Sequence, residues 1–164
     1  MPQPAPGRIV QLNTSPGGVP KLPVEQAVVG TLGLDGDRHR SAGHGGPERA
    51  VCLYSLEVIQ RLQAEGHPIA PGTAGENVTV AGLDWHLVVP GARLRLGSDV
   101  LLEVTRYTTP CLNIAASFTN GQFARILQED HPGESRVYTR VLHGGELSPS
   151  DSVEVLAAAP PAME

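Results

Sequence analysis

The sequence predicts a mainly β fold of the α+β class, a distorted and mostly antiparallel β-barrel with a few short helices. Apolar and polar residues mostly alternate with a period of two, which is typical of strands that bury one face. The 164 residues include 19 glycines and 15 prolines, spread along the chain as expected when tight turns join many short strands. Helical segments do not alternate regularly with the strands, and this disfavours a parallel α/β sheet.

Alternating or short apolar runs between turn residues predict eight strands in chain order. The fifth and sixth are separated by Gly97, Ser98 and Asp99, which predicts a hairpin. The predicted strands cover residues 8–12, 22–29, 50–54, 77–80, 92–96, 100–105, 136–142 and 153–156.

Two helices are predicted between these strands. Ser55 is a suitable N-cap, apolar residues recur at helical spacing over residues 56–62, and Gly66 is a suitable helix end. A weaker helical pattern covers residues 122–129.

We expect these elements to form a single domain over residues 1–156, with residues 157–164 as a disordered tail. With 40% hydrophobic residues, a chain of this length can bury a core of its own. The net charge of -5 argues against broad binding of nucleic acid, because that mode needs a net basic face. No segment approaches the roughly 20 apolar residues that span a bilayer, so no membrane association is expected.

The chain begins without the basic and apolar regions of a signal peptide, so we expect a cytoplasmic protein with reduced thiols. Cys52 lies in an apolar strand and is expected to fill the core. Cys111 follows Thr109 and Pro110, a pair that favours a helix start with the cysteine in its first turn. Free backbone N–H groups there favour a thiolate, so Cys111 is a candidate soft metal ligand or nucleophile. The alternative is that Cys111 is a small buried residue.

The glycine-rich stretch 33–49 is the candidate binding loop. Glycines let backbone N–H groups converge on one anion, and arginines add forked donors that match phosphate oxygens. A metal site is the rival interpretation, although its ligand spacing matches no common zinc pattern. An ordinary surface loop with internal ion pairs is the third. The anion donors are Arg38, His39, Arg40, His44 and Arg49, and the possible metal ligands are Asp35, Asp37, His39 and His44.

Residues 33–39 (GLDGDRH) and 44–51 (HGGPERAV) are followed by residues 72–79 (GTAGENVT) and then by Pro110 and Cys111. In this order the four segments resemble the MOSC domain, which is named for the C-terminal part of molybdenum cofactor sulfurase. The resemblance extends over nearly the whole chain and is strongest with compact, stand-alone bacterial members. It implies a PK β-barrel-like fold that binds the molybdenum cofactor, or that carries sulfur on its single cysteine.

The resemblance also implies roles for individual residues. Cys111 would be either the molybdenum ligand or the carrier of a persulfide. The basic loop would hold the phosphate of the cofactor, molybdopterin, with two arginines of the late strand as further candidates. The cofactor-binding candidates are Arg38, His39, His44, Gly45, Gly46, Arg49, Asn77, Arg136 and Arg140.

Three further polar residues are ambiguous in the sequence. Glu76 is expected to order the basic loop by pairing with Arg38 or Arg49. Asn77 can donate and accept hydrogen bonds at a strand start, and a structural role is favoured. Lys21 is within reach of an anion, although a single lysine at a strand start is more often an exposed charge.

Three functions remain open from the sequence. The first is a molybdenum-dependent reductase of N-hydroxylated compounds that receives electrons from a separate reductase. The second is a module that carries sulfur or delivers the cofactor, and the third is a cofactor-free thiol hydrolase using Cys111 with His39 or His44. The family is also associated with pyridoxal phosphate, but the sequence has no aminotransferase-like part, so we expect sulfur to come from another protein. Leu112 and Asn113 follow the cysteine where related reductases often carry a basic residue.

Overall fold

The computed structural model describes residues 6–38 and 45–157, which form the mainly β structure predicted from the sequence. The described residues contain one α-helix, α1 Leu56–Ala64, and several short 3-10 helices. Their strands are β1 Gly7–Thr14, β2 Leu22–Val24, β3 Ala27–Gly30, β4 Gly33–Leu34, β5 Val51–Ser55, β6 Val78–Ala81, β7 Arg93–Leu96, β8 Val100–Tyr107, β9 Val137–His143, β10 Gly145–Leu147 and β11 Ser152–Ala157.

Seven of these strands close into a barrel. Their order is β11, β7, β8, β9, β5, β6 and β1, and pairing of β1 with β11 completes the ring. Neighbouring strands are antiparallel except for β5 and β6. Strand β2 pairs with β1 outside the ring, and β10, β3 and β4 form a separate small sheet. The prediction of a distorted, mostly antiparallel barrel is therefore confirmed.

Helix α1 lies in the crossover between the parallel strands β5 and β6, since parallel neighbours need a connection longer than a tight turn. The Ser55 hydroxyl accepts a hydrogen bond from the Val58 amide at 3.2 Å, as expected for an N-cap. Val58, Ile59 and Leu62 are buried against the barrel. Gly66 follows the helix with a φ of 102°, a conformation that glycine adopts readily. The predicted helix is confirmed.

Two predicted elements differ from the structure. The strand expected over residues 22–29 is divided, because β2 pairs with β1 whereas β3 pairs with β10. The helix expected over residues 122–129 is reduced to the 3-10 helix Phe123–Ile126, in which Ile126 is the buried residue. A single buried side chain gives too little burial to offset the cost of nucleating a longer helix.

The register of the strands brings four strand ends together at one end of the barrel. Val78, the first residue of β6, lies opposite Leu12 of β1 and Leu53 of β5. Val137, the first residue of β9, lies opposite Leu53 and opposite Tyr107 at the end of β8. The loops that follow β1 and β8 and precede β6 and β9 therefore meet there.

Among the described residues, no helix has the length and apolar character needed to cross a membrane.

Candidate functional site

A cavity, here called the inner cavity, opens where these loops meet. Its volume is about 620 Å³, including the part that is open to solvent at the mouth. It brings the thiol of Cys111 together with three of the predicted arginines and a buried lysine. The lining residues are Gly18, Val19, Lys21, Arg38, Arg49, Cys52, Gly75, Asn77, Thr108, Thr109, Cys111, Asn113, Ile114, Arg136 and Tyr138.

Cys111 is half-buried in the wall of the inner cavity, but its backbone differs from the prediction. Thr109 and Pro110 are not helical, and Cys111 itself is extended, with φ -145° and ψ 176°. The 3-10 helix begins only after it and covers Leu112–Ser117. The expectation that Cys111 lies in the first turn of a helix was therefore wrong. A short 3-10 helix is a weak source of positive potential, so arginine side chains are the main positive groups of the cavity.

Arg136 is the most deeply buried of these arginines, with 6% of its surface exposed. Its Nη1 donates to the Ala74 carbonyl at 2.7 Å, and its buried Nε has no hydrogen-bond partner among the described residues. A buried guanidinium that is held by a neutral carbonyl and keeps an unpaired donor is unfavourable by itself. Its position in the cavity wall makes it a suitable partner for an anion.

Arg49 and Arg38 also line the cavity. The guanidinium carbon of Arg49 lies over the Tyr138 ring, 5.6 Å from its centroid. The Arg38 side chain is exposed, and its backbone amide donates to the Ser15 carbonyl at 2.8 Å. Burial raises the pKa of the Tyr138 hydroxyl, an effect that Arg136 and Arg49 oppose. Tyr138 therefore keeps its proton at neutral pH and is available as a hydrogen-bond donor.

Lys21 is buried rather than exposed, contrary to the expectation from the sequence, with 6% of its surface accessible. Its Nζ contacts both carboxylate oxygens of Asp37, at 2.6 and 2.8 Å. The same carboxylate accepts hydrogen bonds from the Ser15 amide at 3.0 Å and the Asn77 side chain at 2.9 Å. Asp37 thus anchors the start of the basic loop to the barrel, and this explains why a lysine can be buried here.

Asn77 connects this anchor to the strands. Its Oδ1 accepts from the Cys52 amide at 3.0 Å, and its Nδ2 donates to Asp37 and to the Asn13 carbonyl. Both polar atoms of the side chain are therefore engaged within the protein. Asn77 lines the cavity, but its geometry suits positioning of Asp37 more than direct contact with a ligand.

Glu76 lies in the turn that precedes β6 and is completely buried. Its Oε2 accepts from the Gly72 amide at 2.9 Å and from the Thr79 hydroxyl at 2.8 Å, and its Oε1 has no partner in the described part of the chain. The expected pairing with the basic loop is not among its contacts. Burial raises the pKa of this carboxyl, so the neutral acid is favoured. The bonds of Glu76 to Gly72 and Thr79 thus connect the turn that precedes β6 to the strand itself.

Cys52 is buried, as predicted, yet it also lines the inner cavity. Its Sγ lies 3.8 Å from the Thr108 hydroxyl, and burial raises the pKa of the thiol, which Arg136 partly opposes. Both cysteines are free thiols. The two cysteines therefore differ in their chemistry. Cys52 is buried and its protonated thiol is favoured, whereas Cys111 is only half-buried.

Several predicted site residues lie elsewhere. Arg140 is on the outer side of the barrel, where its Nε lies 3.2 Å from Glu48 and 3.4 Å from Glu103. Gly45 and Gly46 do not line the cavity, although Gly46, with a φ of 101°, precedes the 3-10 helix that places Arg49. Three of the predicted anion donors of the loop lie outside the described residues, namely His39, Arg40 and His44. Within the described ranges, no group of three or more possible metal ligands is present.

Little in the sequence indicates that some of the lining residues belong to the site. Tyr138 lies in β9 two residues after Arg136, which directly precedes the strand, and this spacing was the available indication. Thr108 and Asn113 flank the cysteine segment and reach the cavity because β8 ends at its edge.

Comparisons with known proteins agree with this fold. A family model described as the MOSC domain matches residues 40–154. The chain is 32% identical to the uncharacterized protein YflK of Bacillus subtilis over 143 residues, which covers 85% of this chain and 63% of YflK. It is 33% identical over 129 residues to a protein of Gibberella moniliformis named "Reductase", covering 76% of this chain and 22% of that protein. It thus spans less than two thirds of either relative.

A solved structure of a related protein has the same fold. The crystal structure of YiiM from Geobacillus stearothermophilus superposes with a TM-score of 0.75 at 26% identity, over 97% of this chain and 80% of YiiM. The family match covers more than half of the sequence, and it includes both the basic loop segment from residue 45 and the cysteine segment. The chain therefore belongs to the MOSC domain family.

Proposed function

We propose that this protein binds the molybdenum cofactor in the inner cavity and reduces N-hydroxylated compounds with electrons from a separate donor protein. One observation carries the proposal. A single cavity combines a partly accessible thiol, Cys111, with the guanidinium groups of Arg38, Arg49 and Arg136. Thiolate is a soft ligand suited to a metal rich in sulfur ligands, and guanidinium groups suit a phosphate.

The residues present fit the cofactor. Cys111 would hold the metal, and Arg136 would offer its unpaired Nε to the phosphate, assisted by Arg49 and Arg38. A bound phosphate would give the buried guanidinium of Arg136 the anionic partner that the described residues do not supply. The contact of Asp37 with Lys21 neutralises that lysine, so Arg136 is the buried cation of the cavity that lacks an anionic partner among the described residues.

When bound, the cofactor would supply the redox-active metal that the protein side chains lack. Reduction of an N–OH group consumes two electrons and two protons and yields N–H and water, which requires an external electron source. Tyr138, which keeps its proton, is available to donate a hydrogen bond at the cavity wall. Cys52 and Ile114 are buried lining residues that add apolar surface to the cavity and so disfavour water there.

Metal analysis tests this proposal. The full chain is produced in a host that makes the molybdenum cofactor, and molybdenum and pterin are measured in wild type, Cys111→Ser and Cys52→Ala. We expect near-stoichiometric metal in wild type and in Cys52→Ala, and loss of both metal and reduction of an aromatic N-hydroxylated compound in Cys111→Ser. Equal metal in all three proteins would contradict a role for Cys111. A metal-free wild type carrying a persulfide on Cys111 would replace this proposal with the sulfur-carrier function.

A further inference from the structure

A second cavity, here called the outer cavity, adjoins the inner one. It is lined by Arg106, Tyr107 and Pro110, which the inner cavity lacks, and by four residues common to both. The shared residues are Arg49, Thr109, Cys111 and Tyr138. We propose that the outer cavity receives the substrate and selects planar aromatic compounds that carry an anionic group. This inference rests on the proposed function, because it assigns the inner cavity to the cofactor.

The position of Cys111 is the first argument. Cys111 is a lining residue of both cavities, so a group bound to its sulfur would lie next to both of them. The buried guanidinium of Arg136 and the side chain of Arg38 line the inner cavity and are not among the residues of the outer one. The two spaces therefore offer different chemistry to their ligands.

The residues of the outer cavity indicate which ligand it suits. Tyr138 and Pro110 line the cavity and have flat side chains, which favour a planar ring. Arg106 is exposed at the end of β8, directly opposite Tyr138 in the pairing of β8 with β9. Arg49 lies over the ring of Tyr138. The guanidinium of Arg106, with no carboxylate among the described lining residues, favours an anion at the edge of that ring.

The test uses protection of the Cys111 thiol and does not depend on bound molybdenum. The full chain is produced in a host that cannot make the cofactor, and alkylation of Cys111 by iodoacetamide is followed by mass spectrometry. Benzoate is the planar aromatic anion, benzamide its neutral analogue and cyclohexanecarboxylate its non-planar analogue. Inorganic phosphate is the probe of the inner cavity. The variants are Arg106→Gln and the control Arg93→Gln, since Arg93 is an exposed arginine of β7 paired with Glu103.

We expect benzoate to protect Cys111 at lower concentration than either analogue. Arg106→Gln should raise the half-protecting concentration of benzoate about fivefold, the effect of one partly exposed charge pair, and should leave protection by phosphate unchanged. Arg93→Gln should change neither. Absence of benzoate protection, or equal effects of Arg106→Gln and Arg93→Gln, would overturn the assignment of the outer cavity. Because metal content is not measured here, that failure is separate from failure of the molybdenum proposal.

Discussion

Arg136 combines deep burial with an unpaired donor, and it is the residue on which the proposed site depends most. The described part of the chain gives it a carbonyl partner but no ion pair, so its charge is poorly compensated. Burial of an uncompensated charge lowers stability, and such an arrangement is retained where the charge serves a ligand. Arg140, four residues further along the chain, is exposed and has two carboxylate neighbours, Glu48 and Glu103.

Replacement of Arg136 by methionine distinguishes its contribution to anion binding from its contribution to the free energy of unfolding. Arg136→Met should weaken the binding of inorganic pyrophosphate about tenfold, because one buried charge-assisted contact is lost. Its free energy of unfolding should stay within about 1 kcal/mol of wild type, since removal of the uncompensated charge offsets the lost hydrogen bond. Calorimetric titration and urea unfolding measure the two effects. Arg140→Met is the matched control and should leave pyrophosphate binding unchanged, so equal loss in both variants would contradict the role of Arg136.

Asp37 holds the beginning of the basic loop through a short contact with the buried Lys21, in which Nζ lies 2.6 Å from a carboxylate oxygen. Sequence alternation could not reveal it. From the sequence alone Lys21 is expected to be a surface charge, because the carboxylate that compensates it belongs to a segment 16 residues later.

Asp37→Asn should destabilise the protein by about 3–5 kcal/mol, because it leaves the Lys21 ammonium buried without its carboxylate. The double variant Lys21→Met with Asp37→Asn should recover most of that loss, since no buried charge then lacks a partner. Urea unfolding of the single and double variants gives the coupling free energy. Additive effects of the two substitutions would show that the pair does not act as one unit.

The strands were the most predictable elements, and the reasons are local. Alternation along β1, β8 and β9 reports directly which face is buried, and the Ser55 cap and apolar spacing identify α1. The short strands β4 and β10 have two and three residues, too few for a period to be visible. The residue pattern around Cys111 predicted a helix start, but tertiary packing set an extended cysteine instead.

The closed barrel explains why the inner cavity could be predicted only in part. Its wall depends on which strand ends meet, and this follows from long-range pairing such as that of β1 with β11 and of β5 with β6. The sequence resemblance identified Cys111, Arg38, Arg49 and Arg136 as candidates. It did not indicate that Arg140 lies outside, nor that Lys21, Cys52 and Tyr138 line the same space.

The stability of the barrel should depend on pH through Glu76, a buried residue of the turn that precedes β6. Burial raises its pKa in the folded state above the ordinary value near 4.5. Below that value both states hold the proton. As pH rises further, the unfolded chain releases the proton while the folded protein keeps it, so this group lowers stability progressively until the folded pKa is reached.

Glu76→Gln should remove this dependence while keeping an acceptor for Gly72 and Thr79. The free energy of unfolding of the variant, relative to wild type, should therefore increase as pH rises above about 4.5. Urea unfolding at a series of pH values measures the difference. A difference between the two proteins that stays constant with pH would show that Glu76 is ionised normally in the fold.

X-ray absorption at the molybdenum edge examines the metal ligand itself, in protein loaded in a host that makes the cofactor. If Cys111 binds the metal, wild type should show one sulfur more than the dithiolene of the cofactor supplies, and Cys52→Ala should show the same number. Cys111→Ser should lose that sulfur or lose the metal altogether. A wild-type spectrum with only the dithiolene sulfurs, or one unchanged in Cys111→Ser, would contradict the assignment of Cys111 as the molybdenum ligand.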